Sequence, residues 1–152
     1  MRFIELTVLI LIIQGIPEQI ALLTLACAIA KLPFKWKEML IMGVIMVIAV
    51  RIIRSLSFLP FGLHTIVLLL LVFLFLVFSG KADVSMALIA SIGSFFALII
   101  YEVLSVTLIT EFTKITRDIW YSNEFLRILF GYPHIILLFA TAFIVRKRRG
   151  IA

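Results

Sequence analysis

The chain has 152 residues, 64% of them hydrophobic and 14% charged, with a net charge of +6. A soluble domain of this size carries about 25% charged residues, so a fully water-facing globular surface is excluded. Nucleic-acid binding is excluded too, because the basic residues fall between apolar runs and form no aromatic-interleaved patch. A single cysteine, Cys27, excludes an intrachain disulfide and a cysteine-rich metal site.

Several apolar runs approach the ~20 residues that cross a bilayer. The pattern predicts an all-α, polytopic membrane protein, with residues 1–152 forming one domain of five transmembrane helices. No long polar linker, low-complexity tract or repeat divides it.

The first helix is expected over about 4–30. It contains "LIIQGIPEQIAL", Leu11 to Leu22, where Gln14, Pro17, Glu18 and Gln19 interrupt the hydrocarbon. A signal peptide wants a basic start and an unbroken apolar core. Here Glu5 offsets Arg2, and Pro17 and Glu18 break the run, so the segment reads as a retained span. Pro17 removes a backbone N–H and makes a hinge. The carbonyl it frees near Ile13 becomes an acceptor. Cys27, among Leu25, Ala26 and Ala28, reads as a small packed residue.

"KLPFKWK" follows, an interface composition. The second helix spans about 38–55 and carries Arg51 and Arg54, three apart on one face. "SLSFLPFG" ends it. The third, about 62–78, is nearly pure Leu, Val and Phe after His64. "SGKAD" turns into the fourth, about 84–110. There Ala87, Ala90, Ser91, Ser94 and Ala97 permit close helix approach, and Glu102 lies beyond them. The polar stretch "EFTKITRDIWYSNEF" suits a short interfacial segment, with Trp120 and Tyr121 at headgroup level. Asn123 can cap the fifth helix, about 123–145. Its "GYPH" places a second hinge at Pro133, before the terminal "RKRR".

Five spans put the termini on opposite sides. With the C-terminus inside, that side holds eight lysines and arginines and the outside six. The positive-inside rule therefore places the N-terminus outside and the C-terminus in the cytoplasm, in a cell membrane.

A helix rises ~1.5 Å per residue. Measured from the cytoplasmic charges, His134, Glu18 and Arg51 lie roughly 18 to 21 Å up, and His64 and Glu102 roughly 25 to 28 Å up. The hydrocarbon layer is ~30 Å thick, so all five fall in its outer half. This predicts an outward-opening pocket between helices one, two and four. Gln14, Glu18, Arg51 and Glu102 would line it, Arg54 would stand nearby and His64 near its mouth. Glu18 would pair with Arg51 or Arg54. Three plainer readings compete. The charges could only fix helix register, the arginines could snorkel to headgroups, and His64 and His134 could be helix-start residues at the interface. A haem held by the two histidines has no other support. No cofactor is expected.

No phosphate-binding loop, HExxH or serine-elbow motif occurs, so the chain reads as no enzyme. Two stretches resemble a family. "RSLSFLPFGLHTIVLLLLVFLFL", Arg54 to Leu76, and "NEFLRILFGYPHIILLFATAFIVRKRR", Asn123 to Arg149, are similar to the multi-helix membrane sensor region of Firmicute GHKL-type sensor histidine kinases. The early "IPEQIALL" also fits. The resemblance implies an input module for signal transduction. It implies no kinase activity for these residues, which hold neither a phosphoacceptor segment nor an ATP-binding motif. Expected partners are membrane lipid and a protein partner or second copy. The alternatives are a small transporter or channel subunit using Glu18 and Glu102, and a structural accessory subunit.

Overall fold

The computed structural model describes Glu5, residues 8–56, 58, 60 and 62–150. All regular structure among them is helical. Helix α1 runs Val8–Ile29, α2 Trp36–Ser55, α3 Leu63–Phe78 and α4 Val84–Thr113. A short α5, Arg117–Ser122, precedes α6, Glu124–Arg148. Among the described residues three helices are long and apolar enough to cross a membrane: Val8–Ile29, Val84–Thr113 and Phe125–Arg148. α3 is apolar but has only 16 residues. α2 has the length, but Lys37, Glu38, Arg51 and Arg54 charge its two ends.

The elements lie close to the sequence expectation, with shifts at their ends. α2 begins two residues earlier, at Trp36, and α4 runs on to Thr113. The expected start of helix one at residue 4 falls outside the described residues. Asn123 caps α6, its side-chain oxygen accepting from the Phe125 N–H at 3.1 Å.

α1 is the central helix. It packs most extensively on α6 and also against α2 and α4. From Ala21 to Ala28 every residue is buried. A helix apolar on all sides belongs in an interior, and here its neighbours supply one. Small residues allow the approach. A Cβ on Gly43 of α2 would come within 3.1 Å of Ile20. Ala87, Ala90, Ser91 and Ser94 are fully buried on α4. Both serine hydroxyls return to carbonyls of their own helix, Ala87 O at 2.8 Å and Ser91 O at 2.9 Å. They are satisfied locally, as short hydroxyls in helices commonly are, and so can pack against a neighbouring helix without a hydrogen-bond partner on it.

One end of the bundle gathers the 30–35 loop, the 79–83 turn and the end of α6. Lys35 Nζ donates to the Ser79 carbonyl at 3.2 Å, and the Ser79 hydroxyl donates to Glu38. Arg149 donates to the Ile29 carbonyl at 2.7 Å, and the Arg146 guanidinium lies 4.2 Å from the Phe34 ring centroid. Together with the first turn of α2, which adds Lys37 and Glu38, these segments hold eight lysines and arginines against Glu38 and Asp83. The other six basic residues of the sequence are matched by six acids, so the basic end accounts for the whole net charge of +6.

Candidate functional site

The polar interruption of α1 meets α6 at the end of the bundle away from the basic cluster. Residues Leu11–Gly15 form a π turn, in which the Ile16 N–H donates five residues back, to Leu11 O. Pro17 follows immediately. In α register the Ile13 carbonyl would accept from residue 17, and proline has no N–H to give. Its donor comes instead from α6: the Tyr132 hydroxyl donates to Ile13 O at 2.7 Å. Gln14 presses against the same stretch, because a Cβ on Gly131 would run into its amide.

One turn on, His134 Nε2 lies 3.8 Å from Glu18 Oε1. His134 is 4% exposed, and the Glu18 side chain 24%. The separation is too long for a hydrogen bond and short enough for strong charge coupling when the imidazole is protonated. Two buried polar atoms, His134 Nε2 and Gln19 Oε1, have no hydrogen-bond partner among the described residues. Such atoms are uncommon and call for an explanation. α6 is tied to α4 as well, by Tyr101 and Thr141, whose hydroxyls lie 2.6 Å apart.

The remaining expected residues surround this junction unevenly. Glu102 of α4 is exposed and within electrostatic reach of Glu18, His134 and Arg54. His64, in the first turn of α3, is within reach of Arg54 and half-buried. Arg51 and Arg54 are both exposed.

Three expectations are therefore corrected. Glu18 faces His134, not Arg51 or Arg54, because α6 rather than α2 covers that side of α1. The expected shared pocket is also divided. A groove of about 230 Å³ does lie between α1 and α2, but eight apolar residues and Arg51 line it, and Gln14, Glu18 and Glu102 do not. His134 is no helix-start residue either. It lies inside α6, one residue after Pro133, and is buried. Pro17 and Pro133, the expected hinges, flank the junction from its two helices.

Tyr132, Gly131 and His134 are partners of the first helix that depth along the helices does not reveal. A signal was available. "GIPE", residues 15–18, and "GYPH", residues 131–134, share a glycine, a proline and a titratable residue in the same order. A first and a fifth span of five would run in the same direction, so two such motifs at similar depth could lie side by side.

Comparison with protein-family models, curated proteins and solved structures found no match.

Proposed function

We propose that the chain is a five-span membrane protein, N-terminus outside and C-terminus cytoplasmic, that works as a non-catalytic sensor or regulatory input module. The observation that carries this reading is the contact of Glu18 with the buried His134 between two proline-bearing helices. An ionisable pair inside an apolar bundle is costly and is a functional candidate by default. Unpartnered His134 Nε2 leaves this junction receptive to a small polar ligand.

The same two helices meet again at the basic end, where Arg149 holds the Ile29 carbonyl. A change at Glu18 and His134 that shifts α6 along α1 would thus reach the cytoplasmic face. The prolines give each helix a place to bend. The resemblance to kinase input regions points to the same role.

Nitroxide labels at Lys37→Cys and Lys147→Cys, in a Cys27→Ala background in liposomes, report the α2–α6 distance at the basic end. Glu18→Gln is expected to shift that distance distribution. An unchanged distribution counts against coupling between the junction and the basic end.

The transport alternative has Glu18 and Glu102 within electrostatic reach of each other in its favour. Below Glu18, however, Leu22, Leu23, Leu25 and Ala26 are buried and apolar, with Thr24 the one polar residue among them, which speaks against a polar path toward the basic end. Proton flux into dye-loaded vesicles, abolished by Glu18→Gln, would favour transport instead.

A further inference from the structure

The groove between α1 and α2 lies apart from the α1–α6 junction. We infer that it binds one acyl chain of an anionic phospholipid, with the lipid phosphate on Arg51. The inference rests on the membrane reading above and not on the sensor role.

The groove's shape and chemistry carry the argument. Along the two helices it runs from Ile16 and Val44 at one end to Val8, Arg51 and Ile52 at the other, the end taken as its mouth. From Val44 to Ile52 the helix rises about 12 Å, so the slot runs along the helices, as an acyl chain lies in a bilayer. Apart from Arg51 every lining residue is apolar. That excludes a polar solute from its length and suits a hydrocarbon chain. On the outer side of α2, Ile41, Ile45, Ile48 and Ile52 form one exposed stripe, with the four- and three-residue spacing of a single helix face. The groove therefore opens beside a lipid-facing surface.

The charge at the mouth selects the headgroup. No acid stands within ion-pair distance of Arg51 among the described residues. An arginine at this depth, above an apolar slot, needs an anion, and guanidinium pairs with phosphate through two parallel hydrogen bonds. A zwitterionic headgroup offers the phosphate with a competing ammonium. A net-anionic one offers it alone.

The test is lipid competition on the detergent-solubilised full chain, read by native mass spectrometry. The probes are phosphatidylglycerol and phosphatidylcholine with identical acyl chains. Wild type is expected to retain phosphatidylglycerol about fivefold better, the effect of one cationic side chain. Arg51→Gln should erase that preference, and Arg54→Gln, outside the groove, should keep it. Ile48→Trp, which fills the slot from its edge, should lower retention of both lipids. Glu18→Gln should leave retention unchanged, which separates this site from the sensor reading. No headgroup preference in wild type, a preference that survives Arg51→Gln, or full retention by Ile48→Trp would each overturn the proposal. Should Arg51→Gln fail to fold, the wild-type competition and Ile48→Trp still decide it.

Discussion

Pro17 shows how one missing hydrogen atom shapes a site. It leaves the Ile13 carbonyl without its helical donor, and the Tyr132 hydroxyl answers from α6 at 2.7 Å. Tyr132→Phe should therefore cost about 1 kcal/mol in detergent unfolding experiments. In a Pro17→Ala background the cost should shrink, because the new N–H at 17 can serve Ile13. Equal costs in both backgrounds would show that the hydroxyl does not serve that carbonyl. Gly131→Ala makes a second test beside it. Its methyl group meets the Gln14 amide, and a loss of about 1–3 kcal/mol is expected from overpacking. Gln14→Ala should recover much of that loss; purely additive losses would place the clash elsewhere. The freed carbonyl was legible from the proline alone. Its donor was not, because Tyr132 lies 119 residues away, and sequence gives depth along a helix more readily than the direction a side chain faces.

At the scale of elements, the same limit explains which expectations needed correction. The helices were legible because long apolar runs end at charged, proline- or glycine-bearing breaks. The neighbours of Glu18 were not. α1 is apolar nearly all round, so its pattern marks no face for α2 or α6. Assigning Glu18 to Arg51 followed charge alone, whereas packing placed the proline-bearing α6 on that side. The small residues of α4 could be read more directly, since Ala87, Ala90, Ser91 and Ser94 share a face and are buried. Gly43 has the same role on α2. A Cβ there comes within 3.1 Å of Ile20 and 3.8 Å of the Gln19 Cβ. Gly43→Leu should push α1 and α2 apart and cost about 1–3 kcal/mol, whereas Ile41→Leu, on the exposed stripe, should cost little. Thermal unfolding of the two variants compares them. Similar melting temperatures would contradict the close α1–α2 packing.

Across the whole molecule, charge is divided more sharply than composition suggests. The segments at one end hold eight basic residues against two acids. Two of the lysines there, Lys31 and Lys81, adopt left-handed backbone conformations with φ of 59° and 56°. Glycine fits that region better, by roughly 1 kcal/mol, so positive charge is kept where backbone preference alone would select against it. Lys31→Gly should raise the melting temperature slightly while weakening the charge bias, and a lower melting temperature would contradict the backbone argument. That bias underlies the central claim of five spans with the basic end in the cytoplasm. The direct measurement is thiol labelling of intact cells with a membrane-impermeant reagent, in a Cys27→Ala background. Ser122→Cys, at the end of α5, should be labelled from outside, and Lys147→Cys, at the basic end, only after the membrane is opened. Labelling of both or of neither from outside would contradict the opposed positions of these two sites, and the reverse pattern would invert the orientation and place the Glu18–His134 junction toward the cytoplasm.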